Sequence, residues 1–496
     1  MTTVCHKQLS LGSVLGKEIT ADFEGGRITS DAGGLILRLL DERYGIAASA
    51  ARCLRDPRDP GKTVHGDVTL LKQRIFSIAL GYEDANDAET LRSDPALKTI
   101  SGRLPETCED LASQSTLSRF ENRVSSKDLR RLADWLFALY VKAHPAPREV
   151  IVLDIDSTDD PTHGHQQLSF FHGYYEEHMY HPLFIFDGLS GFPLACVLRP
   201  GNTHASHRAK AVLKRLLRRV RQTYPKAEIV LRADAGFAVP GLYRFCEKRR
   251  IHYVIGLITN DRLREKSAPI LARPHGLFDQ TGQKQRLFSS FSYRAESWSR
   301  YRRVIAKAEY MEQGANQRFV VTNILGLNPQ RIYDAIYVLR GDAENRIKEL
   351  KREIKADRLS CHRFLANQFR LFLHTAAYTL FWLLRDALKG TEFAMAQVGT
   401  LRLKLFKIGA RIRETSRRVW IHLASGYPYQ RLFGSAVETL KAAPTRDGGQ
   451  NRFDFPSVLH WVKCAQSSPE PEKQSGFKRK RPSIGVQPTP CEAKIP

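Results

Sequence analysis

Glu149-Val-Ile-Val-Leu-Asp-Ile-Asp156 is an apolar run that ends in carboxylates, directly after the linker that contains Pro145. Upstream, residues 28–136 carry apolar positions at helical spacing, so the period of the chain changes at this run. An uninterrupted apolar run rich in Val and Ile is typical of a strand buried on both faces. A second such run, Glu228-Ile-Val-Leu-Arg-Ala-Asp234, also ends in a carboxylate, and both runs therefore predict buried strands of one sheet.

The segments around these two runs predict the rest of an α/β unit. Strands and helices follow in the order strand, hairpin, helix, strand, helix, strand. Ligands of such sheets usually bind beyond the carboxyl ends of the strands, which is where Asp156 and Asp234 fall. The predicted elements are a hairpin of Pro182–Phe186 and Phe192–Leu198 joined through Asp187-Gly188-Leu189-Ser190-Gly191, helices at 206–223 and 240–250, and the strand His252–Leu257.

The composition indicates a polyanionic partner. Among 496 residues, Lys and Arg outnumber Asp and Glu by 77 to 52, which gives a formal net charge of +25. Nucleic acid is the commoner partner for such an excess, although a basic protein without one is the alternative. No apolar stretch is long enough to span a membrane, and no secretory signal begins the chain, so we expect a cytoplasmic protein without a membrane partner. The 8 cysteines form no Cys-x-x-Cys pair, which argues against a zinc cluster and a disulfide framework.

The predicted helix at 206–223 is a candidate DNA-contacting surface. It carries seven Lys and Arg residues and no acidic residue. Arg215 and Arg218 represent this basic face as candidate phosphate contacts. A run of charge can also be a solvated helix face, and the sequence leaves that alternative open.

Asp156 and Asp234 are candidate metal ligands because an unpaired carboxylate at the end of a buried strand is costly unless a cation shares the site. Phosphodiester cleavage by two metal ions requires carboxylates that converge from separate elements, and Mg²⁺ prefers oxygen ligands. Each aspartate could instead cap a following turn. Asp154 lies on the same strand face as Asp156 and is an alternative first ligand. We prefer Asp156 because it is nearer the strand end.

A third carboxylate belongs to a spaced motif further along the chain. Tyr337, Arg340, Glu344 and Lys351 lie at offsets of three, seven and fourteen, which place all four on one face of a continuous helix. Such a face would set a metal-binding carboxylate beside cations that suit DNA phosphates. If the helix begins instead at Gly341, only Glu344 and Lys351 share that face. Ordinary ion pairs on a helix surface are a further alternative.

With these motifs, the sequence resembles the DDE transposases of bacterial insertion sequences, specifically the cut-and-paste group with a Tyr-Arg-Glu-Lys helix motif. The resemblance covers most of residues 25–430 and rests on Asp156-Ser157-Thr158, on residues 232–237 and on residues 340–351. It implies an α/β fold with a ribonuclease H-like catalytic core, that is a mixed sheet flanked by helices, and a β-rich insertion. It also implies Mg²⁺ or Mn²⁺ as cofactor, terminal inverted repeats and target DNA as double-stranded partners, and a homodimer in the synaptic complex.

The resemblance also assigns roles to particular residues. It implies a catalytic, metal-binding triad of Asp156, Asp234 and Glu344, and phosphate handling by the other three residues of the helix motif, Tyr337, Arg340 and Lys351. In similar enzymes an aromatic residue of the insertion stacks on a flipped base, for which Trp298 is the candidate; a tryptophan packed in the core is the alternative. The implied reaction is metal-dependent strand cleavage and strand transfer in a bacterial, nucleoid-associated setting.

The predicted domain organisation follows from the same features. Within the first part, residues 113–120 could form a recognition helix or an ordinary surface helix. The divisions are a helical, DNA-binding N-terminal domain at 1–145, a catalytic core with C-terminal helices at 146–260 and 326–430, a β-rich insertion at 261–325, and a flexible basic tail at 431–496. Two other functions stay open, a transposase-derived DNA-binding protein or repressor without catalysis, and a zinc enzyme that uses the histidines at 163–181.

Overall fold

The computed structural model describes residues 8–442. In that range β1 to β16 are Leu9–Val14, Lys17–Ala21, Ile28–Thr29, Val150–Ser157, Asp160–Pro161, Phe170–His172, Glu177–Tyr180, Leu183–Asp187, Pro193–Val197, Glu228–Ala233, His252–Leu257, Gln285–Tyr293, Arg302–Met311, Gly314–Thr322, Ala410–Glu414 and Val419–Leu423. Helices α1 to α15 are Leu35–Tyr44, Ile46–Ala51, Asp67–Leu80, Ala88–Leu91, Pro95–Ile100, Gln114–Asn122, Ser126–Ala143, Ala209–Thr223, Pro240–Lys248, Asp261–Thr281, Pro329–Arg331, Gly341–Arg352, Phe364–Ala387, Val398–Leu401 and Gln430–Lys441.

A mixed eight-stranded sheet forms the centre of the fold, in the order β12-β13-β14-β11-β10-β4-β8-β9. Strand β10 pairs in parallel with β4 on one side and with β11 on the other, and the remaining pairs are antiparallel. Within β4 only Ser157 is not buried, as expected for an apolar run covered on both faces. The sequence-based prediction of a mixed α/β sheet is confirmed, including the order of its strands and helices from β4 to β11.

The register of β4 and β10 fixes the position of their terminal carboxylates. Ala233, the last residue of β10, lies opposite Ile155 of β4. Because the two strands are parallel, their carboxyl ends meet at one edge of the sheet, and Asp234 follows β10 at the level of Asp156. Strand β11 ends at the same edge.

Helix α13 packs the N-terminal helices and the sheet into one hydrophobic core. Its residues 369–384 are all buried, and Trp135 of α7 lies against Phe372 with ring centroids 5.3 Å apart. The most apolar segment of the chain, around Phe372–Leu384, is therefore a buried helix. Within residues 8–442, no helix is long and apolar enough to cross a membrane.

Residues 261–325, which were predicted to be rich in strands, contain β12, β13 and β14. These strands extend the central sheet through the antiparallel pairing of β14 with β11. The segment also contains the 21-residue helix α10, which the sequence analysis did not predict. Pro269 and Pro274 lie inside this helix, and a proline inside a segment ordinarily indicates that a helix ends or breaks there.

Two other predictions about secondary structure were wrong. Residues 326–430 were expected to end in C-terminal helices, but within that segment β15 and β16 form a small sheet with β3. In β15 the buried Ala410 and Ile412 alternate with exposed arginines, which is the period of a strand. Helix α15 occupies the start of the tail predicted to be flexible, and the basic run Lys478-Arg-Lys-Arg481 lies outside the described residues.

Candidate active site

Three carboxylates from three separate elements converge at the edge where β4 and β10 end. Asp156 is the second-last residue of β4 and is only 6% exposed. Asp234 follows β10, and its Oδ1 accepts a hydrogen bond from the Gly236 N–H at 3.0 Å, so it also caps a turn. Glu344 lies in the first turn of α12 with a side chain that is 45% exposed.

The Arg340 guanidinium lies between these carboxylates. Its Nη2 donates a hydrogen bond to Glu344 Oε1 at 2.6 Å, and its Nη1 lies 3.6 Å from Asp156 Oδ2. Both Nη1 and Nε are buried without a hydrogen-bond partner within the described residues. Arg340 therefore supplies positive charge to two carboxylates while part of its donor capacity is unused.

The negative charges of the three carboxylates influence the pKa values of Asp156 and Asp234. Burial, followed by the negative charge of Asp234, raises the pKa of Asp156 to about 7, although Arg340 opposes this. Burial also raises the pKa of Asp234, with a smaller contribution from Glu344 in the same direction. The cluster thus resists carrying its full negative charge unless a cation is present.

Tyr337 completes the site from the third strand end. Its ring centroid lies 5.7 Å from the Arg340 guanidinium carbon. A Cβ atom placed on Gly256 of β11 would lie 2.6 Å from Tyr337 Oη, so the hydroxyl fits only because residue 256 has no side chain. Lys351, two turns beyond Glu344, donates to Asp159 Oδ2 at 2.7 Å, in the loop after β4.

These side chains are carried by a helix with an unusual course. Residues Ile332–Tyr337 form a π-helical turn and Val338–Arg340 a 3₁₀ turn before α12 begins at Gly341. Arg340 and Gly341 both have right-handed helical backbone angles, so the chain does not break there. The α-helix begins at Gly341, as the alternative interpretation held, yet Tyr337 and Arg340 still reach the carboxylates. π-helical turns often occur at functional sites.

Asp154 binds Arg232 and does not take part in the carboxylate cluster. It is completely buried, and its two oxygens accept hydrogen bonds from Arg232 Nε and Nη2 at 2.5 and 2.6 Å. Asp156 instead faces Arg340 and the other two carboxylates. The geometry favours Asp156 over Asp154 as the carboxylate that could bind a metal.

The residue types of this site fit a hard divalent cation, because they offer carboxylate oxygens from three elements and a buried aspartate whose negative charge is disfavoured. The spacing in the structure is wider than a shared ion requires. In the part of the chain that the structure describes, no three His, Cys, Asp or Glu side chains lie close enough to hold one ion. The Arg340 guanidinium lies beside Asp156 and Glu344, where it neutralises part of their negative charge in place of a metal ion.

The histidines of residues 163–181 also form no group of three ligands that lie close enough to hold one ion. Nothing in the described residues therefore supports a zinc centre. His172 and His181 do approach each other, with ring centroids 5.2 Å apart. His181 Nδ1 is engaged by the Thr203 carbonyl at 2.8 Å, and burial lowers its pKa to about 4.

Sequence reasoning missed the hairpin of β6 and β7, which lies near the carboxylates. The charges of Asp159, Asp156 and Asp234 all contribute to a raised pKa of Tyr175, after the larger effect of burial. The neighbouring Tyr174 is 83% exposed. Gly256 was missed as well, although a glycine inside an apolar strand is itself an indication of a close approach.

Some arginines of the basic helix α8 form ion pairs within the described part of the protein, and others do not. Arg215 and Arg219 both pair with Asp134 of α7, at 2.7 and 2.9 Å. Arg218 is exposed and has no partner among the described residues. Of the two predicted phosphate contacts, only Arg218 is unengaged in the structure.

Trp298 is buried, with 5% of its surface exposed. Tyr243 and Tyr293 contact its ring edge to face, and the Arg302 guanidinium carbon lies 5.4 Å from its centroid. The indole thus occupies a packing position, and the structure favours the core alternative over stacking on a base.

We therefore expect Trp298→Ala to lower the free energy of unfolding by about 3–5 kcal/mol, the usual loss for a large buried aromatic residue. DNA affinity of the folded protein should not change. Urea denaturation and a binding titration below the transition test this. Normal stability combined with weakened DNA binding would instead restore the stacking role.

The chain is similar to one protein family over most of its length. A family model described as "Transposase DDE domain group 1" matches residues 11–445. None of the curated proteins is significantly similar in sequence. A solved structure of a piggyBac transposase synaptic complex with hairpin DNA aligns over 90% of this chain and 88% of its own, at 11% identity and a TM-score of 0.38. On the family match, which spans most of its length, the chain belongs to the DDE transposase domain group 1 family.

Proposed function

We propose that this protein is the transposase of a bacterial insertion sequence, of the cut-and-paste group with the Tyr-Arg-Glu-Lys helix motif. It cleaves DNA at terminal inverted repeats and transfers the strands to target DNA, acting as a homodimer in the bacterial cytoplasm at the nucleoid. One observation carries the proposal: Asp156, Asp234 and Glu344 converge from three elements in a chain of a DDE transposase family. The sheet and its flanking helices are in this view a ribonuclease H-like core.

The triad would hold Mg²⁺ or Mn²⁺ through carboxylate oxygens. When bound, such ions supply an activated water and stabilise the leaving oxygen of a phosphodiester. In the DNA-free protein, Arg340 neutralises Asp156 and Glu344. Once another cation neutralises these carboxylates, the guanidinium is available to bind a DNA phosphate. Tyr337 supports the guanidinium from the side of β11.

Lys351, at the far end of the same helix face, has two roles in this proposal. Its ion pair with Asp159 anchors α12 to the loop that follows Asp156. The side chain is 20% exposed, so it also offers positive charge to a DNA backbone near the carboxylates.

The basic surface supplies affinity for DNA through phosphate neutralisation, so binding should weaken steeply with salt. Arg218→Ala is expected to lower affinity to a similar extent for all DNA sequences and to reduce the slope of log K against log [salt] by about 1. Lys214→Ala, an exposed change on the same helix, gives the matched comparison. Binding titrations between low and physiological salt measure the slope, and an unchanged slope for Arg218→Ala excludes this arginine from the interface.

The test of the function is excision from a supercoiled plasmid that carries the element ends, in Mg²⁺ or Mn²⁺. Wild type is compared with Asp156→Ala, Asp234→Ala and Glu344→Ala, and with Asp154→Ala as a buried neighbour. Excision by wild type that each triad substitution abolishes, with DNA binding retained, supports the proposal. Binding to the ends without cutting in either metal would indicate a transposase-derived DNA-binding protein or repressor.

A further inference from the structure

A buried ion pair lies two residue pairs behind the carboxylate cluster. Asp154 of β4 and Arg232 of β10 face each other in the parallel register, with 0% and 1% of their side chains exposed. Arg232 Nε and Nη2 donate to the two oxygens of Asp154 at 2.5 and 2.6 Å. This two-point contact fixes the angle between the side chains as well as their distance.

The same guanidinium reaches the helix that carries the remaining site residues. Arg232 Nη1 donates to the Ile336 carbonyl oxygen at 3.0 Å. Ile336 belongs to the π-helical turn and immediately precedes Tyr337. Arg232 therefore connects both catalytic strands to the start of the Tyr337–Glu344 segment.

A second guanidinium approaches Asp154 from α12. Arg346 Nη1 lies 3.8 Å from Asp154 Oδ2, two residues beyond Glu344. Space for this arrangement depends on Gly188, where a Cβ atom would lie 2.5 Å from Arg232 Nη2 and 2.7 Å from Asp154 Oδ2. Every element that contributes a catalytic carboxylate thus has a contact to Asp154 or Arg232.

A buried ion pair is weak support for stability, because apolar residues of similar volume often stabilise a protein as well. Its particular property is a fixed geometry, and catalytic groups must be held within about half an ångström by the residues behind them. Partners that orient metal ligands commonly affect metal affinity when they are removed. A fixed link between three carboxylate-bearing elements suits that purpose.

We infer that Asp154 and Arg232 are positioning residues, which set the spacing of Asp156, Asp234 and Glu344 and thereby the affinity of the cluster for a divalent cation. This inference rests on the proposed function. The pair does not touch DNA or metal, and it acts through the backbone of β4, β10 and the π-helical turn.

The experiment compares Asp154→Asn, Arg232→Gln and the double variant Asp154→Asn/Arg232→Gln with wild type. The matched control is Arg74→Gln/Glu121→Gln, which removes a pair of similar burial between α3 and α6, with 1% and 2% of the side chains exposed. Three quantities are measured: the Mn²⁺ dissociation constant by electron paramagnetic resonance, amide hydrogen exchange over residues 336–346 without metal, and the melting temperature.

We expect the double variant to bind Mn²⁺ about tenfold or more weakly, as is usual for residues that orient metal ligands, and to exchange faster over 336–346. Its melting temperature should exceed that of either single variant, because no unpaired charge stays buried. The control should lose stability while keeping wild-type Mn²⁺ affinity. Wild-type affinity and exchange in the double variant would show that the pair only stabilises the fold and would overturn the inference.

Failure of the proposed function has a different signature. Wild type would then bind no Mn²⁺ and cut no DNA, whatever the variants do. Hydrogen exchange needs no metal, so it still decides whether Asp154 and Arg232 hold the helix in place. Unchanged exchange in that case would refute the positioning role as well.

Discussion

Asp156→Asn is expected to abolish DNA cleavage and at the same time to make the metal-free protein more stable. Loss of one metal-binding carboxylate should reduce the rate by about a thousandfold or more, which corresponds to about 4 kcal/mol. The gain in stability has a separate cause. Burial and Asp234 raise the pKa of Asp156 to about 7, so ionisation of this carboxyl opposes folding.

The sign of the pH dependence follows from the raised pKa. The folded state binds the proton more tightly than the unfolded state, whose aspartates titrate near 4. The stabilising effect of that proton is fully present below about pH 4 and is lost as the pH rises through about 7. At pH 8, Asp156→Asn should therefore be about 2–4 kcal/mol more stable than metal-free wild type, and the difference should vanish near pH 4.

Urea denaturation between pH 4 and 8 in the presence of a chelator measures this difference. Asp342→Asn provides the control, because its side chain is 54% exposed in the same site helix and should change stability by no more than about 0.5 kcal/mol. A variant that loses cleavage but has the wild-type pH profile would show that Asp156 is not the buried acid described above.

Gly256→Ala is expected to lower the cleavage rate about a hundredfold, since small displacements of catalytic groups have effects of this size. The new Cβ would lie 2.6 Å from Tyr337 Oη, 2.9 Å from the Ala235 nitrogen and 3.3 Å from the Asp234 carbonyl carbon. Relief of these contacts requires movement of Tyr337 and of the backbone that carries Asp234. Crowding of this kind costs about 1–3 kcal/mol of stability, so the protein should still fold.

Two further variants separate crowding from a general effect of the added methyl group. Gly276→Ala in α10 meets no atom within 4 Å and should leave cleavage unchanged. Gly256→Ala/Tyr337→Phe, compared with Tyr337→Phe alone, should show a smaller loss because the nearest oxygen is gone. Wild-type rates in Gly256→Ala would mean that the position of Tyr337 does not matter for catalysis.

The sequence predicted the central strands because β4 and β10 are apolar on both faces, a pattern that few other structures share. It did not predict α10, whose two internal prolines indicate a break in a helix, nor β15, which lies in the segment predicted to hold C-terminal helices. Local residue preferences fail where tertiary contacts hold an element that those preferences disfavour.

The candidate site was predictable to a similar degree. Strand ends and helix spacing suggested the three carboxylates and Arg340, but the position of the guanidinium between them depends on how α12 docks on the sheet. One contact could have been predicted. Both strands carry a charged residue two positions before the terminal aspartate, and parallel pairing in register brings Asp154 opposite Arg232.

The π-helical turn at Ile332–Tyr337 has a genetic consequence. A π turn holds one residue more than an α turn of the same length, so loss of a single codon within it leaves a chain that can form a continuous α-helix. Because the π turn absorbs its extra residue, the residues on either side of such a deletion would keep their positions around the helix axis. Loss of one residue from the regular turns of α12 would instead rotate the residues beyond it by about 100°. After a deletion within the π turn, Tyr333 would stay in its apolar cluster and Arg340 would stay beside Asp156 and Glu344. We therefore expect loss of the Ala335 codon to be tolerated better than loss of the Lys348 codon in α12, which would turn Lys351 away from Asp159. Excision assays with the two deletion variants test this difference.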